Sequence, residues 1–193
     1  MESVELGITS SFSFLRGASE PEELVLRASQ LEIGTLAITD QSGLYGVPRF
    51  YRAAKEAGIR AIIGAKIFLS SVGNLRLLCE SILGYQNLSR LLTLGHNNAR
   101  KGQCILSPEN LTSLTEGIIC LYGSPPADIS LQGAEFLKKA FGPNHLFIEI
   151  HNHLEPQVEQ RTKLLIDLAN ACNIPLVATN DVHHAKAKDK KLL

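Results

Sequence analysis

Short apolar runs alternate along the chain with longer stretches in which apolar residues recur every three or four positions. Residues 4–8 read as a strand. Ser19 and Glu22 have the spacing of a capping box, and Leu24, Ala28 and Leu31 fall on one face of the helix it would start. Gly34 closes that unit. Residues 35–39 predict a second strand, 47–57 a helix stopped by Gly58, and 59–63 a third strand. Residues 65–69 and 75–79 flank a Ser-Ser-Val-Gly-Asn turn and predict a hairpin. Residues 86–99, 130–140 and 156–172 have helical periodicity, and Ser107-Pro108-Glu109 opens a short helix. Strands are expected at 117–122, 146–150 and 175–179.

This repetition of strand, loop and helix predicts an α/β fold with a mostly parallel, curved sheet and helices outside it. Its inward face is expected to include Ile38, Ile62, Cys120, Ile148 and Val177. With 193 residues the chain is expected to form one domain, residues 1–193, and 45% hydrophobic residues can fill its core. The final stretch, KAKDKKLL, reads as the opening of another helix, which suggests an N-terminal piece of a longer protein.

Charge changes the picture by exclusion. Nineteen Lys and Arg balance nineteen Asp and Glu, and aromatic residues are 6% with no Trp. A protein gripping nucleic acid through phosphates and stacked bases is usually basic and aromatic-rich, so contact with DNA is expected only through a larger parent. Cys79, Cys104, Cys120 and Cys172 form no C-x-x-C pair and stand beside apolar residues, as small buried hydrophobes in a reducing cytosol would. Residues 1–10 (MESVELGITS) lack the basic and apolar regions of a secretory leader and are not expected to be one, and no apolar run approaches the roughly 18 residues of a membrane span. The expected location is cytoplasmic.

Polar residues gather just past strands: Thr9-Ser10, Asp40-Gln41, His151 and His153, Asp181 and His183. In parallel α/β folds the carboxyl ends of the strands share one rim, and that rim hosts sites. Asp and His converging there is ligand chemistry for a hard or borderline metal ion. The same residues also fit a helix cap with a hydrogen-bonded His, or a polar surface. His145 is expected to be exposed, His96 to sit near a helix end, and the lysines at 186–191 to form a solvated face. Phosphate-loop, dinucleotide-loop, nucleophile-elbow and H-E-x-x-H motifs are lacking.

Longer segments resemble a known family. Residues 5–19 (ELGITSSFSFLRGAS), 36–67 (LAITDQSGLYGVPRFYRAAKEAGIRAIIGAKI), 84–102 (GYQNLSRLLTLGHNNARKG) and 175–184 (PLVATNDVHH) are similar, in collinear order, to the PHP (polymerase and histidinol phosphatase) domain. That domain stands at the N-terminus of bacterial C-family DNA polymerases, the DNA polymerase III alpha-subunit group. The Phe-Leu-Arg-Gly-Ala-Ser wording resembles the error-prone branch. The resemblance implies a distorted (β/α)7 barrel, the PHP fold, incomplete at its C-terminus if the chain is a fragment. In active members the strand rim holds up to three metal ions and hydrolyses phosphoesters, in some cases as a 3′–5′ exonuclease.

Carried over residue by residue, that metal pattern is eroded. Gly7 and Thr9 stand where the family has a His-x-His pair, Arg16 where active polymerase members have a ligand Asp, Gln41 where they have a His, and Lys66 where they have a ligand Glu. Asp40, His153, Asp181 and His183 match and imply a vestigial site with weak or no binding of Zn or Mn. Arg16 and Lys66 imply charge replacement there, with the Lys66 ammonium among Asp40, Asp181 and His153. The expected function is a non-catalytic PHP domain with a structural role in an error-prone polymerase of replication or translesion repair. Its expected partner is the remainder of that polymerase chain, with no membrane partner and no polymerase activity of its own. The alternative is a residual metal-dependent phosphoesterase or 3′–5′ exonuclease.

Overall fold

β1 (Ser3–Ile8) lies parallel to β2 (Ile33–Gln41) in the computed structural model, which describes residues 3–123, 129–151 and 156–192. The class is α/β, as the alternating pattern predicts, and the chain divides into two units: Met1–Ala65 with Asn180–Leu193, and Lys66–Thr179.

In the first unit β1 pairs with β2, and β3 (Arg60–Leu69) follows β2 in the sheet order. Helices α1 (Pro21–Gln30) and α2 (Val47–Glu56) pack on each other, and α1 packs on β2. Ile8, Leu36 and Ile38 from the strands meet Leu24, Val25 and Ala28 of α1 and Phe50 and Ala54 of α2 in one buried cluster. The helical face follows from spacing, since residues 24, 25 and 28 of α1 turn the same way. The cap of α1 differs from expectation by one residue: Glu20 caps, and its N–H donates to Glu23 at 3.1 Å. Ser19 is drawn inward instead, where its hydroxyl accepts from the Ala185 N–H at 2.9 Å. Gly34 lies inside β2 rather than before it. Val182 bridges Ile8 in parallel: its N–H donates to the Gly7 carbonyl at 2.7 Å, and the Thr9 N–H donates to the Val182 carbonyl at 2.8 Å.

In the second unit the strand order is β3, β4 (Gly73–Cys79), β6 (Ile118–Tyr122), β7 (Leu146–Ile150), β8 (Leu176–Ala178), with β5 (Ile105–Leu106) added to β3. β4 and β6 are antiparallel, while β6–β7 and β7–β8 are parallel. Around them stand α3 (Ile82–Asn97), α4 (Leu131–Phe141) and α5 (Pro156–Cys172). The expected third strand and first hairpin arm are one continuous strand, β3, because Gly64 sits within an extended run. α3 begins four residues before its periodicity does. Ser81 caps it by accepting from the Gly84 N–H at 3.1 Å, and Gly84 is held against Gly117 so closely that a Cβ would come within 1.8 Å of the Gly117 oxygen. Ile38, Cys120 and Ile148 are buried as expected, whereas Ile62 and Val177 are only half-buried. Cys104, Cys120 and Cys172 are buried and Cys79 half-buried, all as free thiols. The lysine-rich end, Ala187–Leu192, is a short 3-10 helix.

Candidate functional site

Asp40 stands near the end of β2 and is 2% exposed. Its carboxylate is enclosed by the loop that follows β1. Oδ1 accepts from the Ser10 N–H and the Ser13 hydroxyl, and Oδ2 from the Ser10 hydroxyl, each at 2.7 Å. Ser13 accepts in turn from the Gln41 N–H at 2.8 Å. Three donors on one carboxylate satisfy its charge without a metal ion or a guanidinium. Gly46 leaves room for this arrangement, since a Cβ there would meet Asp40 Oδ2 at 2.7 Å.

Asp181 and His183 form a second cluster in the same unit. His183 Nδ1 lies 2.6 Å from the Arg16 carbonyl oxygen, which only accepts, so Nδ1 carries a proton and donates. Nε2 then faces Asp181 Oδ2 at 3.2 Å. A His whose Nδ1–H is anchored on a backbone carbonyl, with Nε2 beside a carboxylate, has the orientation of a metal-ligating imidazole. Asp181 adopts a left-handed backbone, φ 47°, and its neighbour Asn180 is fixed by Glu5. Glu5, buried in β1, accepts from Asn180 Nδ2 at 2.6 Å and from the Gly7 N–H at 2.9 Å. Thr9 is 1% exposed, and its hydroxyl has no hydrogen-bond partner among the described residues.

The structure therefore brings together Asp181, His183 and the Arg16 backbone, and separately Asp40, Ser10 and Ser13. The Arg16 side chain is exposed and makes no ion pair among the described residues. Lys66 is half-buried on β3 and belongs to the other unit, and His153 lies outside the described residues. Among the described residues, no group of three or more His, Cys, Asp or Glu side chains is arranged to hold an ion. The donor set fits a polynuclear centre poorly. Asp40 is already engaged, and among the described residues two candidate ligands remain, Asp181 and His183, where one ion would need three or more from the protein.

The second unit holds a buried charged cluster that the strand-end pattern missed. Arg76 on β4 and Glu149 on β7 are fully buried and paired at 2.9 Å. The Thr179 hydroxyl donates to Glu149 at 2.7 Å and lies 3.1 Å from His151 Nδ1. His151 is thus buried rather than a surface residue. The signal was in the strands: a lone charge within LRLL and within FIEI breaks an apolar run and implies a buried partner. His145 is half-exposed and pairs with Glu80 at 3.2 Å, while His96 lies in the last turn of α3 and is exposed.

A profile of the PHP domain family matches residues 5–153. The chain belongs to the PHP domain family. Among its curated relatives, the error-prone DNA polymerase of Pseudomonas aeruginosa is 38% identical over 185 residues, which are 95% of this chain and 18% of that protein. This PHP domain therefore spans about a fifth of the length of such relatives. Solved structures agree on the PHP fold. An amidohydrolase from Chromobacterium violaceum, with bound sulfate and no metal, matches at TM-score 0.70 and 13% identity, covering 97% of this chain and 89% of that one. The histidinol phosphate phosphatase of Lactococcus lactis, solved with zinc, L-histidinol and phosphate, matches at TM-score 0.54 and 12% identity over 99% and 92%. Among the described residues, no helix is long and apolar enough to cross a membrane.

Proposed function

We propose that this PHP domain is a non-catalytic structural module of an error-prone DNA polymerase polypeptide, working in the cytoplasm in replication or translesion repair. DNA would be contacted only through the intact parent. The observation that carries this reading is Asp40. The resemblance makes it a metal ligand, and here both its oxygens are occupied by Ser10 and Ser13 donors. Gly7, Thr9 and Gln41 offer no strong ligand at the other family positions, and Lys66 brings a cation where the family keeps a carboxylate. Metal affinity requires a near-complete set of deprotonated ligands at fixed geometry.

The second reading, residual phosphoesterase or 3′–5′ exonuclease activity, rests on Asp181 and His183. Their mutual orientation suits one Zn or Mn ion, which would supply a polarised water. In that case His183 Nε2 and Asp181 would hold the ion, with Arg16's carbonyl steadying the ring. One experiment separates the two readings. The purified chain is incubated with bis-(p-nitrophenyl) phosphate and with a 3′-labelled oligonucleotide in added Zn²⁺ or Mn²⁺. The structural reading expects no turnover above buffer and no difference between wild type and Asp181→Asn. Metal-dependent hydrolysis abolished by Asp181→Asn would establish the second reading instead.

A further inference from the structure

The loop after β1 has its polarity reversed. Ser10, Ser13 and Ser19 are buried, while Phe14 is 84% and Leu15 80% exposed, with Phe12 partly exposed beside them in sequence. A loop formed by hydrophobic collapse would do the opposite. The cause is Asp40, whose carboxylate holds Ser10 and Ser13 inward. Backbone bonds then set the turn: Ser13 N–H to the Ser10 carbonyl at 2.9 Å, Arg16 N–H to Ser13 at 2.8 Å, and Ser11 N–H to Ser19 at 2.9 Å across its base. Gly17 admits the close approach, because a Cβ there would fall 2.0 Å from the Ser10 oxygen. Leu15 is left in the left-handed region at φ 59°, which a bulky residue rarely adopts. Such strain persists only where surrounding contacts over-determine it. The tip is preorganised and presents a phenyl ring, an isobutyl group and the guanidinium of Arg16 to solvent.

The chemistry of the tip selects the kind of partner. Leu15 cannot stack on a base. The nearby Arg49 is already neutralised by Glu20 and Glu22, leaving Arg16 as the tip's own cation, with no ion pair among the described residues. One cation among apolar groups suits a protein surface better than a phosphate backbone. The complement is an apolar pocket with a carboxylate at its edge. More than four fifths of the curated relatives' length lies outside the region this chain matches, so such a polypeptide has ample surface to supply that pocket.

We propose that Phe14, Leu15 and Arg16 form a rigid docking knob for the remainder of the polymerase polypeptide, with Asp40 as the anchor that holds the knob in shape. This rests on the structural-module reading above. The test compares the 193-residue chain with a full-length chimaera in which it replaces the matched region of the Pseudomonas aeruginosa relative. Modification of Arg16 by phenylglyoxal is followed by mass spectrometry in both. Arg16 is expected to react at least tenfold more slowly in the chimaera, and Phe14→Ser/Leu15→Ser is expected to restore fast reaction there while leaving the thermal transition of the 193-residue chain unchanged. Equal reaction in both proteins, or protection that survives the double substitution, overturns the knob and leaves the module reading standing. A chimaera that fails to fold as one polypeptide overturns both. Protection of the 193-residue chain that grows with its own concentration, or appears with a single-stranded oligonucleotide, assigns the patch to a second copy or to DNA and likewise overturns the proposal.

Discussion

A carboxylate with three donors is a fixed point around which a loop can be built, and Asp40 serves that role whatever its ancestry. Removing it as Asp40→Ala strands two buried hydroxyls and a backbone N–H. At about 1–3 kcal/mol for each unsatisfied buried group, partly relieved by hydroxyl rotation and entering water, the expected loss is about 3 kcal/mol. Asp40→Asn keeps one oxygen acceptor and is expected to lose about half as much. Urea midpoints of the two variants check both values, and a midpoint unchanged in Asp40→Ala would contradict the network. At this scale the sequence was partly legible. Asp40, Asp181 and His183 could be singled out because they follow strands, yet nothing in the spacing said that Ser10 and Ser13 would bind one of them. That depends on the tight turn 10–17, whose backbone closes only because residue 17 is Gly.

Elements were the most legible level, because periodicity is a local property. β7 and α5 coincide with their expected ranges, and Ser130 caps α4 by accepting from the Gly133 N–H at 3.0 Å. Misses came where a residue's local preference lost to a contact distant in sequence. Gly84 is a weak helix former, so the periodic pattern placed the start of α3 after it. The packing of α3 on Gly117 requires that glycine. Gly84→Ala should therefore destabilise, although Ala favours a helix by about 1 kcal/mol. With backbone rather than a flexible side chain in the way, a net loss of about 2–4 kcal/mol is expected. Gly133→Ala in α4 is the control: its Cβ would meet side-chain ends rather than backbone, Ser130 and Tyr122 at 3.0 Å and Val72 at 3.4 Å, so a change within about 1 kcal/mol is expected. Thermal denaturation of the pair tests whether backbone contact, not helix position, sets the difference.

Across the whole molecule, the α/β class and PHP membership were readable from the order of elements and from the four matching segments. The buried charges of the second unit were not, since Arg76 and Glu149 lie far apart in the sequence and pair across β6. Arg76→Met alone leaves Glu149 buried without its guanidinium partner, and a loss of about 3–5 kcal/mol is expected. Arg76→Met/Glu149→Leu should recover much of it, because both desolvation penalties vanish together. A double-mutant cycle showing simple additivity would contradict the pairing.

The second unit also makes the protein sensitive to alkali through its thiols. Burial pushes Cys79 up to about 12, and burial together with the Glu149 charge holds Cys120 well above its usual value. In the unfolded chain both titrate near ~8.5. The protonated thiol is the uncharged form, so the native state keeps its protons where the unfolded state releases them. Stability contributed by these groups is complete below the unfolded value and falls as pH rises, until Cys79 itself ionises near 12. The slope is about 1.4 kcal/mol per pH unit for each thiol. Guanidinium midpoints should thus show no thiol effect from pH 7 to 8 and then decline between pH 9 and 10.5. Cys79→Val removes one contribution and should make that decline shallower, with Cys120 and the likewise raised Cys172 still contributing. Identical declines in wild type and Cys79→Val would show that Cys79 is not held protonated by burial.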